Sequence, residues 1–300
     1  MARTGGRLAG MIAAVLALGA ASAPAGALAA GSPLAATPVR LSVSGLFLVH
    51  ADRVTVPWRP VVVAGSVAHY VAGEHVSLTA TLDGRVVLRR TLWLGRRGRR
   101  GHFQTVVRAP RAGSLRITLA HVRDRRLLSF VSSTGYAVLS TVAGPGATGR
   151  FVQLVQQRLA ALHLYLRQSG VLDQGTELAL DAYHRLLGRG EGHTALDGRT
   201  VTDLLDGIGR FHVRFPAQGP HAEGDLSDQV LAFTDGPNVR WLFPISSGKP
   251  STPTVLGQFQ VYYKQPYYTS DGMYFSSFFT GGYAIHGYDP APPYPASHGC

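Results

Sequence analysis

The spacing of apolar residues changes twice along this chain, and each change limits what the stretch can become. From Leu41 to about Thr141, apolar residues alternate with polar ones or gather in short blocks. Examples are Pro60-Val61-Val62-Val63, His75-Val76-Ser77-Leu78-Thr79-Ala80-Thr81-Leu82 and Ser114-Leu115-Arg116-Ile117-Thr118-Leu119. Successive strand side chains point to opposite faces, so a period of two predicts half-buried strands. Asp83-Gly84, between Leu82 and Val86, supplies two residues that tolerate positive φ and predicts a two-residue hairpin. After Ala143-Gly144-Pro145-Gly146-Ala147, which reads as a linker, the period becomes helical: Phe151, Leu154, Val155, Leu159, Leu162 and Leu166 form one stripe. Asp173 is placed to cap a second helix with Ala179, Tyr183, Leu186 and Leu187 on one face. Thr200-x-x-Asp203 opens a third, ended by Gly207. Strand-like runs then return over 229–233, 239–245 and 257–263, with Asp235-Gly236-Pro237-Asn238 as a turn between the first two.

The expected fold is mainly β with a small helical module. Residues 41–141 read as an immunoglobulin-like β-sandwich, 148–207 as three small helices, and 221–300 as a second, mostly β domain. The start sets the compartment. Arg3 and Arg7 precede an apolar run from Leu8 to Ala21 and the small residues Ala27-Leu28-Ala29, the pattern of a signal peptide over 1–29; residues 30–40 read as a spacer. An uncleaved anchor over Leu8 to Ala30 is the alternative. Either way, the remainder is expected outside the cytoplasm, at the cell wall or the periplasmic side of the membrane.

Composition narrows the partners. The formal charge is +12, carried almost wholly by arginine, since Lys249 and Lys264 are the only lysines. The densest run is Arg89, Arg90, Arg96, Arg97, Arg99, Arg100, Arg108, Arg111, Arg116, Arg123, Arg125 and Arg126. Such a region favours anionic wall polymers or peptidoglycan carboxylates; the competing reading is solvated strand faces. Export and the lack of interleaved aromatics argue against nucleic acid. A single cysteine, Cys300, rules out an internal disulfide, and an unpaired thiol in an oxidising compartment is a liability unless it is used.

Cys300 stands in Ser297-His298-Gly299-Cys300, preceded by Tyr283-Ala284-Ile285-His286-Gly287 and a loop with Pro290, Pro292, Pro293 and Pro295. A thiol is mostly protonated at neutral pH, and an imidazole within reach raises its reactive fraction. His298, two residues away, can share a strand face with Cys300; His286 can approach from another segment. Gly299 lets the backbone bend so that its N–H and that of Cys300 face a developing oxyanion. Ser297 reads as structural. A zinc site of His286, His298 and Cys300 with an open position is a rival reading.

These residues, with Asp225-Leu226-Ser227-Asp228-Gln229-Val230-Leu231, Pro244-Ile245-Ser246-Ser247-Gly248-Lys249-Pro250 and Thr252-Pro253-Thr254-Val255-Leu256-Gly257-Gln258-Phe259, resemble the YkuD-type catalytic domain of the L,D-transpeptidases, cysteine enzymes that cross-link peptidoglycan. More weakly, Val155-Gln156-Gln157-Arg158-Leu159 resembles a peptidoglycan-binding-like module. The resemblance implies a β-sandwich-like catalytic domain that needs no cofactor or metal. It casts Cys300 as nucleophile, His286 as general base, the Gly287 carbonyl as its orienting partner and His298 as a supporting histidine. The implied reaction is a 3→3 cross-link between tetrapeptide stems through a Cys300 thioester. Tyr262, Tyr263, Tyr267, Tyr268, Tyr274, Phe275, Phe278, Phe279 and Tyr283 either line such a site or form core. The family continues past its cysteine with an arginine two positions on and further strands, so a fragment with an incomplete catalytic domain is expected. The alternatives are a non-catalytic wall-binding protein and an L,D-carboxypeptidase that hydrolyses the same thioester.

Overall fold

A computed structural model describes residues 39–123, 128–190, 192–270, 272–288, 291–292 and 294–299. The expected signal peptide, most of the spacer, Arg125, Arg126, Pro290, Pro293 and Cys300 lie outside the described residues. In order, the elements are β1 (Val39–Ser44), β2 (Phe47–Val49), β3 (Asp52–Thr55), β4 (Val61–Val67), β5 (His75–Leu82), β6 (Arg85–Trp93), β7 (Gly95–Arg97), β8 (Arg100–Val107), β9 (Gly113–His121) and β10 (Phe130–Val138). Then come α1 (Arg150–Ala161), α2 (Gln174–Leu186), α3 (Gly198–Asp206), β11 (Pro220–Asp225), β12 (Val230–Asp235), β13 (Asn238–Pro244), β14 (Tyr263–Gln265), β15 (Tyr274–Thr280) and β16 (Tyr283–Gly287). The described chain is therefore mostly β with three helices, as the periodicity predicts.

The first ten strands form a four-stranded sheet, β1-β4-β8-β7, and a six-stranded sheet, β2-β3-β10-β9-β5-β6. Period two decides which side chains meet between them. Val76, Leu78, Ala80 and Leu82 of β5 are buried and, with Leu115 of the neighbouring β9, share one core with Val61, Val63 and Phe103 of the other sheet. Asp83 and Gly84 adopt φ of +49° and +78°, the two positive values that a hairpin matching strand twist requires. Arg90 crosses the sandwich edge, donating from Nη1 to Thr105 Oγ1 at 2.7 Å.

A second core joins what the sequence divides. Val49, Val54, Val56 and Leu139 from the sandwich pack with Leu154, Leu159, Leu180, Tyr183 and Leu204 from the helices and with Val230, Ala232 and Leu242 from β12 and β13. At roughly 1.5–3 kcal/mol per buried large apolar side chain, such a core resists separation of its parts. The expected linker 143–147 is likewise pinned: Gly146 N–H donates to Leu172 O and Leu172 N–H to Ala147 O, both at 2.8 Å. Inside this core the Asp181–Arg185 ion pair is almost wholly buried, and Arg185 Nη1 donates to Gln229 O at 3.1 Å, tying α2 to the end of the β11-β12-β13 sheet.

Local boundaries differ from the sequence expectation in four places. Leu166 falls outside α1, because His163 turns at φ +69° and Leu242 N–H donates to His163 O while Tyr165 N–H donates to Leu242 O. The third helix is capped by Asp197, whose Oδ1 accepts Thr200 N–H at 2.6 Å, and Thr200 Oγ1 instead accepts from Arg189. Gly207 ends that helix at φ +72° as expected. Of the run 257–263 only Tyr263 enters a strand: Gly257 sits at φ +153° with the Phe259 ring folded back on it, and among the described residues 257–261 belong to no sheet. Finally, β15 and β16 arise from the aromatic run that periodicity left unassigned.

Candidate active site

His286 is the penultimate residue of β16, paired antiparallel to β15. Its Nδ1 lies 3.0 Å from Gly287 O; with Nδ1–H as donor, Nε2 is the acceptor nitrogen of the neutral ring. The Tyr274 ring covers Gly287 so closely that no side chain fits there, and Tyr288 meets the imidazole edge-on with ring centres 6.5 Å apart.

The segment leading to Cys300 is held by a separate shelf. Ser246 Oγ donates to Tyr294 O at 2.7 Å and accepts Ala296 N–H at 3.1 Å. Ser297 N–H donates to Ser247 O and Lys249 N–H to Ser297 O, both at 3.0 Å, giving a parallel bridge between Gly248 and Ser297. Thr252 Oγ1 donates to the same carbonyl at 3.1 Å. The shelf is anchored by Gln229, which is 1% exposed: Oε1 accepts Ser247 N–H at 2.8 Å, and Nε2 donates to Ser247 Oγ at 2.7 Å and Leu226 O at 2.5 Å. Support thus runs from α2 through Arg185, Gln229 and Ser247 to Ser297.

Gly299 has φ +113°, and a Cβ there would sit 2.5 Å from Tyr283 Cε1. Tyr283 opens β16, so this contact joins the segment before Cys300 to the strand that carries His286. Gly299 N–H, expected to face an oxyanion, is donated to Ser297 Oγ at 3.2 Å, because the serine hydroxyl two residues back is the acceptor within local reach. His298 is exposed, and its Nε2 accepts from Lys249 Nζ at 3.1 Å; an ammonium only donates, so this nitrogen is engaged as an acceptor. The sequence assigns no individual role to Gln229, Ser246 or Lys249, and reads Tyr283 only as site lining or core. All four fall in the quoted motifs, but their use depends on which groups they meet in the fold.

Charge near the domain entrance is locally compensated. Partial burial pulls the Glu223 carboxyl upward, yet the N–H groups of Arg214 and Phe215 and the His221 ring hold it below its usual value. The Gly219 carbonyl, and then Glu223, raise His221. Burial, and then Asp225, raise Asp228.

The arginine-rich region separates into two kinds of side chain. Arg90 is a strut, Arg111 pairs with Asp83 at 2.6 Å, and Arg96 Nε donates to Gly98 O at 3.2 Å. Arg40, Arg97 and His102 instead border an open trough of about 550 Å³ on the four-stranded sheet, floored by Ser42, Ala64 and Ser66. A second cleft, of about 460 Å³, runs between α2 and the proline-rich loop, with Glu177 and Thr194 on one side and Pro292 and Tyr294 on the other. The aromatic run divides as well. Tyr262, Tyr263, Tyr267, Tyr268 and Phe275 are exposed, and Tyr268 stacks on Tyr274 at 5.9 Å. Among the described residues no three His, Cys, Asp or Glu side chains are grouped to hold a metal ion; the triplet of His286, His298 and Cys300 includes a residue outside them.

Residues 220–300 match the family model of the YkuD L,D-transpeptidase catalytic domain. No curated protein matches the chain. Among solved structures, the L,D-transpeptidase (residues 123–326) of Xylanimonas cellulosilytica DSM 15894 is 30% identical, with 53% of this chain and 84% of that one covered and a TM-score of 0.49. A fused Zn-dependent amidase/peptidase/peptidoglycan-binding domain-containing protein of Clostridium acetobutylicum ATCC 824 is 18% identical, with 48% of this chain and 79% of that one covered and a TM-score of 0.21, too slight a likeness to carry an argument.

Proposed function

Through residues 220–300 this chain belongs to the L,D-transpeptidase family, and on that premise we propose that it transfers acyl groups between peptidoglycan stem peptides, with Cys300 as nucleophile and His286 as base. His286 takes the thiol proton at Nε2, and the sulfur attacks the carbonyl carbon of the third, diamino-acid residue of a tetrapeptide stem. The C–S bond forms, the C–N bond to the terminal D-Ala breaks, and His286 returns the proton to the leaving amine. The side-chain amine of a neighbouring stem then attacks the thioester; a new C–N bond replaces C–S, and sulfur regains a proton. One amide replaces another, with no water consumed and no redox change, and the product is a 3→3 cross-link.

The observation that carries this reading is the His286 Nδ1 contact with Gly287 O. It directs Nε2 toward proton exchange, in a domain whose terminal segment is buttressed independently and touches β16 through Gly299 and Tyr283. The exposed aromatics supply apolar walls of the kind that shelter a thioester from water. His298, engaged by Lys249, serves as support rather than base. We place the protein outside the cytoplasm, with the trough beside Arg40 and Arg97 facing anionic wall polymer and the helical module presenting the chain to peptidoglycan.

The test uses full-length protein and purified tetrapeptide stems. Intact-mass spectrometry is expected to show a thioester on Cys300 that Cys300→Ala and His286→Ala abolish, and a cross-linked dimer once acceptor is added. Release of tripeptide without a dimer would identify water as the acceptor. Cross-linking that survives Cys300→Ala would end the proposal.

A further inference from the structure

The turn beside the Ser297 shelf is built so tightly that it fixes Lys249. A Cβ on Gly248 would stand 2.2 Å from Thr252 O, so only glycine lets the chain double back there. Gly248 N–H donates to Thr254 Oγ1 at 2.8 Å, and Thr252 N–H to Lys249 O at 2.9 Å. With its own N–H on Ser297 O, Lys249 is held by its backbone against the segment before Cys300. Its side chain meets the same segment, since Nζ donates to His298 Nε2 at 3.1 Å.

An ammonium has three N–H donors and one full charge. One donor is used on a ring nitrogen, which is no counter-ion. Among the described residues Lys249 pairs with no carboxylate, whereas Arg185, Arg189, Arg214 and Arg240 each hold an aspartate. The contact with His298 is open to solvent, so the remaining donors are within reach of a ligand.

The donor stem brings one anion close to the bond that breaks. Its terminal D-Ala carries a carboxylate on the Cα next to the scissile nitrogen, about 4 Å from the attacked carbonyl carbon. Cys300 follows His298 by two residues, a Cα separation of at most about 7 Å. A cation seated on His298 is therefore close enough to meet that carboxylate while the sulfur meets the carbonyl. Resting on the reading of Cys300 and His286 as nucleophile and base, we infer that Lys249 is the carboxylate-binding residue of the donor subsite. Its ammonium recognises the free terminus of the stem and so selects which chains are presented to the nucleophile.

The experiment compares full-length wild type, Lys249→Arg and Lys249→Met on two donors. One is a tetrapeptide stem ending in the D-Ala carboxylate; the other is the same stem ending in D-alaninamide. Intact-mass spectrometry follows thioester formation on Cys300 over a range of donor concentrations, which separates half-saturation from maximal rate, and thermal midpoints are measured in parallel. A charge-assisted hydrogen bond predicts that wild type favours the acid about 10-fold in kcat/KM, chiefly through a lower half-saturating concentration. That preference should shrink with added salt. In Lys249→Met the acid and the amide become equal, and Lys249→Arg keeps most of the preference. Equal use of acid and amide by wild type would overturn the inference, and so would a preference that survives in Lys249→Met. A Met variant that slows both donors alike, with or without a lower midpoint, would also overturn it, because that is the effect of lost support for His298 alone. Wild type that forms a thioester with neither donor removes the Cys300–His286 reading itself, and this role with it. A thioester from either donor leaves the acid-to-amide ratio to decide alone.

Discussion

Substituting Gly299 by alanine adds one atom at the point where the segment before Cys300 meets β16. Two costs follow from its geometry. A φ of +113° lies outside the regions open to L side chains, and holding alanine there costs about 1–3 kcal/mol. The new Cβ would also stand 2.5 Å from Tyr283 Cε1, so the ring or the glycine segment must retreat by about 1 Å. Displacement on that scale near reacting groups costs about 100-fold in rate, or about 2.7 kcal/mol in the barrier. Urea denaturation reads the first cost and intact-mass kinetics of thioester formation the second. Tyr283→Ala separates them, because without the ring only the backbone strain remains and Gly299→Ala should be milder in that background. A Gly299→Ala protein with wild-type denaturation midpoint and rate would refute the argument. So would a double-mutant cycle with coupling inside the ~0.3–0.5 kcal/mol expected of independent sites.

Other perturbations test the supports. Arg185→Met leaves Asp181 buried without its cation and should lower stability by about 3–5 kcal/mol in denaturant titrations. Gln229→Ala strands the Ser247 N–H it now holds. A loss of about 1–3 kcal/mol should accompany slower thioester formation, because the Ser297 shelf loosens. Glu223 is depressed in the fold, so its contribution is present above its ordinary value of 4.5 and lost as pH falls through the lower folded value. His221 is raised, so its contribution is complete below 6.5 and lost as pH rises through the higher folded value. Glu223→Gln should therefore flatten the acid limb of a stability–pH curve, and His221→Asn the limb above 6.5, in urea titrations. Retention on isolated cell walls should fall steeply with salt and be weakened by Arg40→Ala with Arg97→Ala; retention indifferent to both would exclude the trough.

Sequence pattern determined much of this protein. Alternation in 75–82 and 114–119 yields strands with one buried face, because side-chain period and core contact are the same geometric fact. Asp83-Gly84 turns where its φ tolerance says it must, Asp173 caps α2, and the His286-Gly287 and Ser297–Cys300 motifs mark the catalytic domain. Pattern fails where the decisive partner is distant. Leu166 carries helical spacing, yet the chain leaves α1 to bond with Leu242, a contact between residues far apart in sequence. The arginines look alike in a row, but only the fold tells the strut Arg90 from Arg97 at the trough. Local chemistry names a residue's capacity, whereas hydrogen-bond partners, shared faces and burial arise between segments. Only the tertiary structure could join three apparent modules through one core and route Gln229 to the Ser297 shelf.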